Sequence, residues 1–356
     1  MLIQSSYANA PAWLARLLVL AVIALVLLAA ASHKTISPAR AKPNDYHDTA
    51  LYRTMVDNVA KGKGYYSTIE YEHRAHGYPT SPPQVFREPT LAYFLASLRT
   101  YTARNAALYL LAAAVMFKFY TALLHSNLSA ARRIGFMAAA STGVGFVAAR
   151  DASYSHEVWA ALLLALALLL YRADRWWPSI VVAVVACLVR ELAFPFLLVM
   201  AAWSLFEHKR REFTGWLMGI IAFTAAITLH LRAAAQLYRP GDMTSESWIA
   251  LGGWPFVLET ARFNVLLHGA PLPIIAFAVC CAVIGLAGAT DARSQRAAFI
   301  VAGYLAALTI IGRPGNYYWG IIYAPMLPIG FVYAPVALRD LYQRTFSSAD
   351  TRRSSN

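Results

Sequence analysis

From Ala12 to Ser32 the chain carries a single charge, Arg16, in a run dominated by leucine, valine and alanine. As a helix, about twenty such residues span the roughly 30 Å hydrocarbon core of a bilayer. Apolar runs recur at about 105–124, 134–149, 158–171, 178–206, 213–231, 271–289, 296–311 and 318–337. In lipid every backbone polar group must be satisfied within the protein, and segments of this length do that as helices. Composition agrees: 59% of the residues are hydrophobic and 14% charged, against about 45–50% and about 25% in soluble domains. The expected fold is therefore an all-α polytopic membrane protein, a bundle of about ten transmembrane helices. It forms one domain over 1–340, with a long first extracytoplasmic loop at 33–104 that carries short amphipathic helices. A disordered cytoplasmic tail follows over 341–356.

The formal net charge is +13. Much of the lysine and arginine lies in short loops between spans, which sets topology and attracts anionic membrane lipids rather than nucleic acid. Ala29-Ala30-Ala31-Ser32 resembles a signal-peptidase site, but the many spans that follow favour an uncleaved anchor. Cys187, Cys280 and Cys281 sit in apolar runs, with no disulfide framework and no zinc spacing.

Residues 178–206 read either as one tilted helix or as two short helices meeting at Arg190-Glu191. Each short helix would be about 20 Å long, too short to cross the core squarely. The two readings put everything downstream on opposite sides. The hairpin places Lys209, Arg210, Arg211, Arg293, Arg296, Arg339 and Arg344 inside, as the positive-inside rule requires. It also brings Arg190 and Glu191 to the outer side, where Arg150 and Asp151 stand.

The long loop has its own pattern. Leu51, Met55, Val56 and Val59 recur at helical spacing, so a short surface helix is expected over Asp48 to Ala60, ended by Gly62 and Gly64. Four prolines between Pro79 and Pro89 keep the next segment extended until a second short helix, Thr90 to Leu98. A further surface helix is expected over Pro255 to Leu267. The polar groups converge on the outer side, while the cytoplasmic loops are short and basic and lack a glycine-rich phosphate cradle. That argues against a machine driven by ATP and against an enzyme using nucleotide sugars from the cytosol.

Asp48-Thr49-Ala50-Leu51-Tyr52 on a surface helix, then Gly62-Lys63-Gly64-Tyr65-Tyr66, then Arg87-Glu88-Pro89-Thr90-Leu91-Ala92-Tyr93 before the second span, resembles the GT-C superfamily of membrane glycosyltransferases. Within it, the pattern is similar to lipid A aminoarabinose transferases and protein mannosyltransferase-like enzymes. The likeness covers residues 1–210. Two departures bear on the acceptor: this chain has Arg87 where aminoarabinose transferases have a lysine, and it lacks their large soluble C-terminal domain.

The resemblance implies a polyprenyl-phosphate-linked sugar as donor, a glycan, lipid or protein acceptor, and inversion at the anomeric carbon. It implies a multi-pass protein of a bacterial inner membrane with its site facing outward. A carboxylate must take the acceptor's proton, and cations must stabilise the departing phosphate. Asp48 is the expected base, which as a helix N-terminal residue could equally serve as a cap; Asp45 and Asp151 are further acids. Arg87, Glu88, Arg150, Arg190, Glu191, Arg313, Tyr52 and His47 are the expected substrate-binding residues. Each has a plainer reading as a local ion pair, a helix lock or an interfacial anchor. Asp45 and Asp48 have the spacing to share a divalent cation, although no full set of metal ligands is present; a divalent cation is the one cofactor the sequence leaves open. The competing classes are a polysaccharide polymerase or ligase of another membrane fold, and a transporter or flippase of lipid-linked glycans.

Overall fold

The computed structural model describes residues 5–32, 47–124 and 128–346. Within them the chain is built of helices and their connections, with one isolated bridge between Ser81 and Thr244. In chain order the α-helices are α1 (Ala12–Ala31), α2 (Asp48–Ala60), α3 (Tyr65–Ala75), α4 (Thr90–Ser97), α5 (Tyr101–Leu124), α6 (Ala130–Val144) and α7 (His156–Leu170). They continue as α8 (Trp177–Val189), α9 (Phe194–Phe206), α10 (Arg210–Ala235), α11 (Gly253–Ala261), α12 (Leu272–Gly288), α13 (Ala292–Ile310) and α14 (Leu327–Phe346). Three of them, α1, α5 and α10, are each long and apolar enough to cross a bilayer. The span expected over 318–337 is instead a 3-10 segment, Pro314–Ile322, bent by 74° against α14. Helices α7, α8, α9 and α12 are apolar but shorter. The surface helix expected over Pro255 to Leu267 is α11 followed by a 3-10 turn at Val265–Leu267.

The described chain divides into two compact units. The first comprises Met1–Ile36, Phe119–Gly145 and Leu251–Asn356. Its centre is the crossing of α12 and α14, where Gly285 and Gly330 let the two backbones touch: a Cβ on either would stand 2.0 Å from a carbonyl oxygen of the other helix. Small residues at such crossings are how membrane helices gain packing without a hydrophobic drive. Gly320 meets Thr260 of α11 in the same way, and the Thr260 and Tyr323 hydroxyls hydrogen-bond at 2.9 Å. Near the chain start, buried Asp340 accepts from both the backbone N–H and the hydroxyl of Ser5, each at 2.9 Å.

The second unit comprises Ser37–Lys118 and Phe146–Ala250. Helices α8 and α9 form a hairpin laid along α10. Trp176 and Ile180, at the start of α8, press on Gly215 and Gly219 near the start of α10. Phe194, at the start of α9, stacks on Phe223 further along α10, at 5.3 Å between ring centroids. The chain therefore rises along α10 and returns, as the charge distribution requires, and it turns at Arg190-Glu191. Helix α7 runs beside it, with Glu157 at the turn end and Tyr171 at the other, where its hydroxyl donates to Glu212 at 3.2 Å.

The short helices close the turn end. Helix α2 stops where expected, with Gly62 in the left-handed region at φ +84°. The N–H of Lys63 reaches back to Asn58 O and that of Gly62 to Val59 O, the paired bonds of a glycine-terminated helix. The helix expected at Thr90 is α4. Helix α3 is an addition to the sequence reading. A strap ties the loop after it to the loop after α10: Thr80 N–H donates to Met243 O at 3.0 Å, and Ser245 N–H to Ser81 O at 2.7 Å. Arg74 completes the strap with hydrogen bonds to both carboxylate oxygens of Asp242 at 2.9 and 2.6 Å, which hold that carboxyl well below the usual carboxylate range. The two loops assigned to one side by sequence thus meet.

Candidate functional site

The turn between α8 and α9 is the centre of a polar cluster in the second unit. Arg190, 1% exposed, donates from Nε to Glu157 Oε1 at 2.7 Å and from Nη1 to Glu191 Oε1. Glu157 lies in the first turn of α7, and its other oxygen accepts from the Ser155 hydroxyl at 3.2 Å. A buried guanidinium between two carboxylates is balanced in charge, and its Nε and Nη1 bonds lock α7 to the hairpin turn.

Arg87 joins from the segment before α4. Its Nη1 stands 3.6 Å from Glu191 Oε1, with the side chain 13% exposed. Phe86, just before it, has an extended backbone, and two consecutive carbonyls pin the segment. Phe86 O accepts from His230 Nε2 at 3.1 Å, and Arg87 O accepts from the Tyr65 hydroxyl at 2.6 Å. Because His230 Nε2 must donate to that carbonyl, its Nδ1 accepts from the Tyr66 hydroxyl at 3.1 Å. The two tyrosines of Gly-x-Gly-Tyr-Tyr therefore hold the Arg87 segment from α3 and, through His230, from α10.

Glu88 points into the same region. It is 4% exposed, and its Oε1 has no hydrogen-bond partner among the described residues. Burial, and then the neighbouring Glu191 charge, push its carboxyl up to about 8. His156, also 4% exposed, leaves Nδ1 without a partner and meets the Tyr52 ring edge-on at 4.5 Å. One residue along α2 from Tyr52, Arg53 stands 3.8 Å from Asp151, which holds a left-handed backbone at φ +58° and a second contact of 3.8 Å with Arg150. Aspartate is one of the few residues besides glycine that adopts that conformation readily.

The structure thus brings together Arg87, Glu88, Arg190, Glu191 and Tyr52, with Asp151 and Arg150 alongside α2. Asp48 opens α2, exposed, one helical turn before Tyr52. His47 is the exposed residue preceding the helix. Asp45 lies outside the described residues. Arg313 belongs to the first unit, where its Nε donates to Asn316 at 3.3 Å. Among the described residues no group of three or more His, Cys, Asp or Glu is arranged to hold a metal ion.

Sequence reasoning did not place Glu157, His156 or His230 in this cluster. Glu157 had one visible signal, an acid inside the first turn of an otherwise unbroken apolar run. His230 looked like an isolated histidine near a span end; only the fold brings it to Tyr66.

Residues 44–235 match the family model described as a predicted membrane protein, DUF2079. The chain belongs to this family. The DUF2079 match runs from before α2 to the end of α10 and contains every residue of the cluster. With its apolar helices, DUF2079 membership makes the chain a membrane protein. No curated protein and no solved structure matches it.

Proposed function

We propose that this DUF2079 protein is a GT-C-type glycosyltransferase of a bacterial inner membrane, built of about ten spans. It moves a sugar, with inversion, from a polyprenyl-phosphate donor to an acceptor outside the cytoplasm. The observation that carries the reading is the setting of Arg87. Its guanidinium is partly exposed at the rim of a buried ionic cluster, and its backbone is clamped by Tyr65 and His230. A planar cation held in this way suits bidentate recognition of a phosphate group. The Arg190–Glu157–Glu191 lock positions it. Asp48, exposed one turn from Tyr52, takes the proton of the acceptor hydroxyl as that oxygen attacks the anomeric carbon.

In membranes supplied with a labelled polyprenyl-phosphate sugar, Asp48→Asn should lower transfer by about 100- to 10,000-fold, the range for loss of a general base. Equal transfer by the variant and the wild type would remove Asp48 from the role. Arg87→Lys should retain more transfer than Arg87→Ala, because it keeps the charge and loses the fork. Orientation has a separate test. A topology reporter fused after Arg211 should report the cytoplasm; an outer location would reverse the side assigned to the cluster.

A further inference from the structure

Glu88 and His156 each sit nine-tenths or more buried in the cluster, with Oε1 and Nδ1 respectively without a hydrogen-bond partner among the described residues. The lock described above uses neither. A buried carboxyl without a partner for its oxygen is costly as an anion and much cheaper as a neutral acid. The neighbouring charge reinforces this: Glu191 approaches from the hairpin turn. Cys187 of α8 and the Tyr65 and Tyr66 hydroxyls of α3 stand nearby as neutral groups. The neighbouring cation, Arg87, is drawn toward Glu191.

We propose that Glu88 is the proton donor of this site, handing its carboxyl proton to a phosphate oxygen of the leaving group held at Arg87. The inference rests on the glycosyl-transfer reading above. In that step the acceptor oxygen bonds to the anomeric carbon and gives its proton to Asp48. The bond from the anomeric carbon to the phosphate oxygen breaks, and its electron pair stays on the phosphate. The Glu88 proton neutralises one of the two charges that the departing polyprenyl phosphate would otherwise carry. Glu88 leaves the step as a carboxylate and recovers a proton from solvent, while Asp48 releases one. The two carboxyls divide the work by environment, one in water and one out of it.

The test is the pH profile of transfer in membranes by wild type and Glu88→Gln, with infrared difference spectroscopy of both in detergent. The donor form of Glu88 is the protonated one. On the alkaline side, wild-type transfer should therefore fall as pH rises through about 8. Glu88→Gln should be slower and lack that limb. The infrared spectrum of the wild type should show a protonated-carboxyl band that disappears over the same interval and is missing from Glu88→Gln. A wild-type profile flat through pH 8, the same limb in Glu88→Gln, or no carboxyl band in the wild type overturns the proposal. Absence of any transfer by wild type, with the band present and titrating, would instead sink the glycosyltransferase reading, and the donor step with it.

Discussion

Arg190→Met is expected to cost about 3–5 kcal/mol of stability, because it strips the cation from the buried Glu157 carboxylate, while Glu191 keeps Arg87. Arg190 is 1% exposed and bonds both Glu157 and Glu191, so its loss leaves Glu157 buried with only the Ser155 hydroxyl. Glu157→Gln is a milder change. The amide keeps the shape, can still accept from Arg190, and leaves the guanidinium its bond to Glu191, so the expected loss is about 1–3 kcal/mol. Denaturation of the purified protein in detergent, followed by tryptophan fluorescence, measures both. The double variant should lose less than the sum of the singles, since each removes the other's unpaired charge. Equal losses for the two singles, or strict additivity, would mean that the trio is a surface-like ion pair and does not lock α7 to the hairpin turn.

How much of this the chain announced in advance differs from element to element. Helix α2 was legible because Leu51, Met55, Val56 and Val59 repeat at helical spacing and Gly62 ends the run; all four are buried, and Gly62 takes the left-handed turn. The α8–α9 hairpin was legible from charge, since only a reversal at Arg190-Glu191 keeps the downstream arginines on one side. Helix α3 was invisible for a physical reason. Its buried face is Tyr65, Thr68, Ile69, Glu72 and His73, and a face made mostly of polar side chains has no hydrophobic period to read. The fold supplies two of them with partners, Pro79 O for His73 and Asn58 for Glu72. The break before α14 was foreshadowed by Pro325 and Pro328, but a window of high hydropathy runs straight across it.

The candidate site divides along the same line. Arg87, Glu88, Arg190 and Glu191 drew attention because charge is expensive inside an apolar chain, and the fold does gather them. Their relations were not legible. Glu157 lies 33 residues from Arg190 and His230 lies 164 from Tyr66, so no local pattern could pair them. Nor could sequence separate the buried Glu88 from the exposed Asp48, although the opposite proton-transfer roles proposed for them rest on that difference in environment.

Gly285→Val should disrupt the first unit by at least the upper part of the roughly 1–3 kcal/mol that overpacking costs. A Cβ at this position would lie 2.0 Å from Gly330 O and 2.7 Å from Ala334 N, both backbone atoms of α14. A flexible side chain can rotate away from an intruding methyl group, but helix backbone cannot. The α12–α14 crossing must therefore open along its length, and the contacts that depend on it, such as the Ala337 and Tyr7 packing at Gly288, open too. Gly330→Val should behave alike, since its Cβ would meet Ala282 O at 2.0 Å. Gly135→Ala is the matched control. It sits in α6 with nothing within 4 Å of an added Cβ, so it should gain up to about 1 kcal/mol from helix propensity. Yield of monodisperse protein after detergent extraction, together with its melting temperature, reads all three. If Gly285→Val melted with the wild type, the helices would not cross at backbone contact. If Gly135→Ala fell with it, the damage would come from losing a glycine and not from the crossing itself.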